Sequence, residues 1–147
     1  MLSTTQIRQY RDDGYLLLED AIAPAELTSL RQAALAIVDA FDISQHRTVF
    51  TTADRDSGRD DYFFDSAENI HCFLEEGALD EAGELLKPAH LAINKIGHAL
   101  HDLNPVFGAF CRQQIFGQVL RDLGCRNPLL WQSMYIFKQP HIGGEVR

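Results

Sequence analysis

The stretch Leu129-Leu130-Trp131-Gln132-Ser133-Met134-Tyr135-Ile136-Phe137-Lys138 restricts most what this chain can become. It reads as a strand that is apolar on both faces, and such a strand must be interior, with hydrogen-bonding neighbours on either side. Few other segments offer themselves as neighbours. Tyr15-Leu16-Leu17-Leu18-Glu19 reads the same way, as an interior strand. Asp61-Tyr62-Phe63-Phe64 and Ile70-His71-Cys72-Phe73-Leu74 are aromatic-rich and strand-like, separated by a turn around residues 66–69, and Thr48-Val49-Phe50-Thr51 is a short candidate. Interior strands with so few partners predict an α+β domain whose sheet is incomplete, a sign of truncation.

The remaining pattern is helical. A short helix is expected up to Asp12, capped by Thr4 or Thr5, with Ile7 and Tyr10 on one face and Gly14 ending it. Ala23-Pro24-Ala25-Glu26 opens a longer one, since proline suits the first helical position. Its stripe is Leu27, Leu30, Ala34, Ile37, Val38 and Phe41, at three- and four-residue spacing. Asn104-Pro105 is an N-cap followed by a first-turn proline, and Phe107, Phe110, Cys111, Ile115, Val119, Leu120 and Leu123 carry one stripe on to Gly124. Residues 93–100 satisfy a helical turn or a strand equally. Residues 44–61, with Arg55-Asp56-Ser57-Gly58-Arg59 as a mobile loop, and residues 75–88, broken by Gly77, Gly83 and Pro88, predict irregular connections. With no repeat and no linker, residues 1–147 read as a single domain.

Charge and cysteine usage narrow the class. A formal net charge of −8 without any Lys/Arg-rich block argues against a nucleic-acid partner. Asp12-Asp13, Asp60-Asp61 and Glu75-Glu76 read as solvated charge. Cys72, Cys111 and Cys125 are odd in number and lack C-x-x-C spacing, so they predict free thiols packed as small core residues in a reducing compartment. The start Met1-Leu2-Ser3-Thr4-Thr5-Gln6 has no basic region followed by an apolar one, and no apolar run approaches bilayer thickness. The expectation is a cytoplasmic protein with no membrane partner.

Three blocks share their order and spacing with a known family. Gln6-Ile7-Arg8-Gln9-Tyr10-Arg11-Asp12-Asp13-Gly14-Tyr15-Leu16-Leu17-Leu18-Glu19 is similar to the opening of phytanoyl-CoA dioxygenase-like proteins, where a helix feeds the first strand. Ile93-Asn94-Lys95-Ile96-Gly97-His98-Ala99-Leu100-His101, running on through Asn104-Pro105-Val106-Phe107, is the second block, and Gln132-Ser133-Met134-Tyr135-Ile136-Phe137-Lys138-Gln139-Pro140-His141-Ile142-Gly143-Gly144-Glu145-Val146 the third. Together they resemble the phytanoyl-CoA dioxygenase family over essentially the whole chain, which would supply the first half of such an enzyme.

The resemblance implies an Fe(II)- and 2-oxoglutarate-dependent dioxygenase that hydroxylates a small-molecule substrate. Its fold would be a double-stranded β-helix (jelly roll), of which this chain carries the N-terminal helices and first strands. Iron in such enzymes sits in a facial triad of two His and one carboxylate. Lys95 matches the family lysine that reaches the 2-oxoglutarate pocket, where an ammonium neutralises a carboxylate. Gln132 and Met134 match strand positions lining the same pocket, two residues apart and so on one face. Met134 and Ile136 stand where other branches have Arg and Asn, which implies a different substrate pocket. The iron-binding His-x-Asp pair is missing: His46, His71, His90, His98, His101 and His141 are each followed two residues later by something other than a carboxylate. The expectation is therefore a family member with no catalytic or metal residue of its own, with no resident Fe(II) or 2-oxoglutarate and inactive as this chain, residual 2-oxoglutarate binding being left open.

Plainer readings stand beside these. His98 and His101 would share a face as metal ligands if they lay on a helix, yet no third donor is near and a polar patch is the simpler reading. Lys95, apart from the resemblance, reads as a solvated lysine. Two alternatives to the inactive dioxygenase half remain: a non-catalytic binding or assembly module that self-associates through its final strand, and a truncated product without independent function.

Overall fold

Helix α1 (Thr4–Asp13) opens the chain, and Ser3 rather than either threonine caps it. The Ser3 Oγ accepts from the Gln6 N–H, and the Gln6 side chain accepts from the Ser3 N–H, a reciprocal capping box. Gly14 ends the helix with φ +79°, as expected of a residue without Cβ. The computed structural model describes residues 1–49 and 61–142. The loop at 55–59, the second half of the 48–51 candidate and the Gly143-Gly144 turn lie outside those residues.

Residues 15–19 do not form the interior strand that their composition suggests. They are irregular, with Tyr15 67% and Leu17 71% exposed. β-propensity reflects how well side chains fit a paired, half-buried surface, and this segment joins no strand among the described residues. Helix α2 (Pro24–Ala40) follows with proline in its first turn, and Leu30, Ala34 and Val38 of its stripe are buried. Leu27 stays half exposed because the stripe is wider than the contact.

Residues 61–64 form a helix, α3 (Asp61–Asp65), where a strand is expected. Short aromatic runs fit either period; here the helix turns Tyr62 and Phe63 onto the neighbouring strand and leaves Phe64 outside. Strand β1 (Ile70–Leu74) follows and Val49 bridges to its end, so that the Leu74 N–H reaches the Thr48 carbonyl at 2.9 Å. Residues 75–88 are irregular as expected, but Glu75 is buried rather than solvated. Its carboxylate accepts from Asn94 at 2.7 Å, the partner a buried charge requires.

The ambiguous segment resolves into two elements: strand β2 (Ile93–His98), then helix α4 (Leu100–Leu103). The expected helix from Asn104 to Gly124 is broken into α5 (Pro105–Cys111) and α6 (Gln114–Asp122). At the break Gln113 is extended, and the Arg112 guanidinium turns back to the carbonyls of His101 and Gly108 and to Asp102. Asn104 caps α5, its Oδ1 accepting from Val106 N–H at 3.0 Å and Phe107 N–H at 3.2 Å. Asn104→Ala is expected to cost about 1 kcal/mol in urea unfolding; no shift in midpoint would show that the cap contributes nothing.

The final strand is shorter and less buried than expected. Strand β3 covers Ser133–Ile136, and Leu129 (88%) and Trp131 (87%) ahead of it are exposed. The three strands form an antiparallel sheet in the order β1-β2-β3. The core lies on one face of it, where Cys72, Leu74, Ile93 and Ile96 pack with Leu30, Ala34 and Val38 of α2 and with Leu100 and Phe107. Each fully buried aliphatic side chain there contributes about 1.5–3 kcal/mol. Of the cysteines only Cys72 is a core residue; Cys111 is half-buried and Cys125 exposed. Among the described residues no helix is long and apolar enough to cross a membrane.

Candidate functional site

The sheet face opposite the core gathers the polar chemistry. Directly paired residues of an antiparallel sheet share a face. Phe73 pairs with Lys95 and His71 with Gly97; Lys95 in turn pairs with Ile136, and Gly97 with Met134. These side chains therefore stand together, away from the α2 side. Helix α3 covers the β1 half of the face through Tyr62 and Phe63, while Met134 and Ile136 on β3 are largely exposed. A floor closed at one side and open at the other is the result.

Lys95 occupies the middle strand of this floor and is 5% exposed, so it is not the solvated lysine that residue statistics favour. Its Nζ lies 5.2 Å from the Phe73 ring centroid and 5.6 Å from that of Phe63. Aromatic faces attract a cation, but they do not replace water. Burial accordingly pulls the ammonium down to a pKa of about 8 from the usual 10.5.

His98 is buried on the same side, its ring 5.6 Å from both Phe63 and Phe73. Nδ1 lies 2.7 Å from the Oγ of Ser66, itself fully buried. Burial, and then the positive charges of Lys95 and His71, push the imidazole down to about 4. His98 is thus neutral at pH 7, and Lys95 carries the charge of the pair. Further out, His71 Nδ1 meets the Tyr62 carbonyl at 2.9 Å, Nε2 lies 3.2 Å from Asp65, and the ring stacks on Tyr62 at 3.9 Å.

The depressed His98 value predicts an acid limb in stability. Between pH 4 and 6.5 the unfolded chain binds more protons than the folded one, so stability is complete above 6.5 and is lost as pH falls towards 4. The limb amounts to about 3 kcal/mol. At high pH two groups oppose: Lys95 favours folding as pH rises from 8 to 10.5, whereas Cys72, pushed up by burial to about 12 from 9, disfavours it from 9 upward. Urea midpoints across pH should fall on the acid side and stay level between 9 and 10.5; a His98→Asn variant should flatten the acid limb.

Of the residues singled out in the sequence, Lys95 and Met134 come together on one face. A Cβ at Gly97 would lie 3.4 Å from Met134 Cγ, so the methionine lies over that glycine, beside Lys95. Gln132 lies just ahead of β3, exposed and outside the paired register. His98 and His101 do not converge. His101 belongs to α4, where its N–H and Nδ1 lie 2.9 and 2.8 Å from Ser133 Oγ and Nε2 lies 3.3 Å from Asp102. Among the described residues no three His, Cys, Asp or Glu side chains gather as a metal would need. Sequence reading missed Ser66, Phe63 and Phe73 as parts of the site, and weighed His98 only as a metal ligand or part of a polar patch. Alternation along β1 and β2 would have placed Phe73 beside Lys95; no local signal brings α3 over them.

The family profile described as Phytanoyl-CoA dioxygenase (PhyH) matches residues 10–147. Phytanoyl-CoA dioxygenase domain-containing protein 1 of Mus musculus is 42% identical over 150 residues, covering 99% of this chain and 52% of the relative. Phytanoyl-CoA dioxygenase of Arabidopsis thaliana is 41% identical over 145 residues, with 99% and 51% covered. The Dictyostelium discoideum homolog of domain-containing protein 1 is 38% identical over the same length, with the same shares covered. This chain belongs to the phytanoyl-CoA dioxygenase family. It spans about half the length of the curated relatives it matches.

Proposed function

We propose that this chain carries the 2-oxoglutarate-anchoring part of an Fe(II)- and 2-oxoglutarate-dependent hydroxylase whose full domain is a double-stranded β-helix. Lys95 is the carboxylate anchor; Met134 lines the same pocket, and Gln132 stands at its rim. The supporting observation is the buried Lys95 ammonium on an open sheet face in a chain of this family. A cation withheld from water attracts a carboxylate far more strongly than a solvated one does. Phe63 and Phe73 exclude water from it, and the His98 ring beside them is neutral.

When bound, 2-oxoglutarate supplies the electrons that hydroxylation of a small-molecule substrate requires. An iron ion is another matter: the described side chains do not fit it, because no three donors converge. We read the chain by itself as unable to turn the cosubstrate over, since none of its six histidines begins a His-x-Asp or His-x-Glu pair. Its free cysteines fit a cytoplasmic setting. Calorimetric titration with 2-oxoglutarate, followed by a succinate assay with added Fe(II), tests both halves of the proposal. Binding without succinate is expected. Absence of binding would remove the anchor, and stoichiometric succinate would remove the inactivity.

A second reading has its own observation. Strand β3 is an outer strand of the described sheet, with Met134, Ile136 and Trp131 exposed along and ahead of it. Such an edge accepts another strand, which would make the chain an assembly module that pairs with a second copy. A concentration-independent monomer mass in light scattering would exclude it.

A further inference from the structure

Ser66 sits in the turn that ends α3, its N–H bonded to the Tyr62 carbonyl at 3.2 Å. Its hydroxyl lies 2.5 Å from the Phe63 carbonyl and 2.7 Å from His98 Nδ1. A carbonyl can only accept, so the single hydroxyl proton goes to Phe63 and Nδ1 must supply the other hydrogen. Neutral His98 is thereby held in its Nδ1–H form. The backbone repeats the tie, for the His98 N–H lies 3.0 Å from the Ser66 carbonyl and 3.2 Å from that of Asn69. The His98 ring in turn rests against Phe63 and Phe73, the two rings beside the Lys95 ammonium.

We propose that Ser66 and His98 are a positioning pair for Lys95: their hydrogen bond holds α3, and with it Phe63, against β2, so that the ammonium stays out of water where an incoming carboxylate would meet it. The functional consequence rests on the cosubstrate reading above; the effect on Lys95 does not. Other titratable groups close to this face among the described residues are His71 on β1, Tyr62 and Asp65 on α3, and His46 stacked on Tyr62 at 4.5 Å. None of them replaces the Ser66–His98 bond, because His71 is already engaged by the Tyr62 carbonyl and Asp65.

The test follows the Lys95 side chain by NMR as pH is raised, in the 147-residue chain and in Ser66→Ala, His98→Asn and His98→Leu variants. In the parent the ammonium should titrate near 8. Ser66→Ala and His98→Leu should move that midpoint up by about one pH unit or more, as water reaches the amine. The same two variants should weaken 2-oxoglutarate binding about tenfold. His98→Asn keeps an N–H donor at the Nδ1 position and should leave the midpoint near that of the parent. If Ser66→Ala fails to fold, the two His98 variants carry the same comparison. An unmoved Lys95 midpoint in a folded Ser66→Ala or His98→Leu protein would overturn the pairing, as would His98→Asn behaving like His98→Leu. Midpoints that move as expected in a protein that never binds 2-oxoglutarate would uphold the pair and refute the cosubstrate reading instead.

Discussion

Lys95→Met is expected to weaken 2-oxoglutarate binding by about a hundredfold or more while leaving the chain at least as stable as before. Methionine keeps the unbranched length of the side chain and removes only the charge. A carboxylate brought to this face would then lose its charged partner in a desolvated place, which costs about 2–5 kcal/mol, and about 3 kcal/mol is a hundredfold in affinity. Stability moves the other way. Because the folded ammonium titrates near 8 rather than 10.5, folding at pH 7 works against its desolvation, at an order of 3 kcal/mol. Methionine is free of that cost. Lys87→Met, on the loop where Nζ reaches the Pro140 carbonyl at 3.4 Å, is the matched control and should change neither quantity appreciably. Calorimetry and urea unfolding of the two variants decide the matter. An unchanged affinity in Lys95→Met would end its role as anchor.

Phe73→Ala should have the largest effect on folding, a loss of about 3–5 kcal/mol. Phe73 is completely buried, and its ring is the one around which the site is built. Tyr62 lies 5.6 Å away and Phe63 5.9 Å, both edge-on, with His98 at 5.6 Å and the Lys95 ammonium at 5.2 Å. Truncation would leave a cavity next to a buried cation, and water entering it would let Lys95 titrate closer to an ordinary lysine. Domains of this size are stable by only about 5–15 kcal/mol, so such a loss is visible in any denaturation experiment. Phe64→Ala, nine residues earlier on the outer side of α3, should fall within about 0.5 kcal/mol of the parent. A loss below about 1 kcal/mol in Phe73→Ala would show that α3 does not pack on the strand as described.

The elements that could be read from the sequence are those whose signals are local. Pro24 with its stripe through Phe41 delivered α2, Asn104-Pro105 delivered the start of α5, and Gly14 and Gly124 ended helices with positive φ. The segments that misled were short apolar runs. Residues 15–19 and 61–64 have the composition of strands, yet the first joins no sheet among the described residues and the second is a helix. A strand is not a property of its own residues; it exists only where a neighbour supplies the other half of the ladder.

The site divides the same way. The run Ile93-Asn94-Lys95-Ile96-Gly97-His98, read together with the opening and closing blocks, marked Lys95 and pointed to the family, because order and spacing of motifs survive in a linear text. What makes Lys95 chemically distinct could not be read there. Its burial depends on Phe63, thirty-two residues earlier, on Phe73 from the paired strand, and on the Ser66–His98 bond that closes α3 over both. By itself the sequence determined which residue carries the charge and where α2 and α5 begin. Only the tertiary structure decided that this charge lies out of water, since desolvation is set by what surrounds an atom in space and not by its neighbours along the chain.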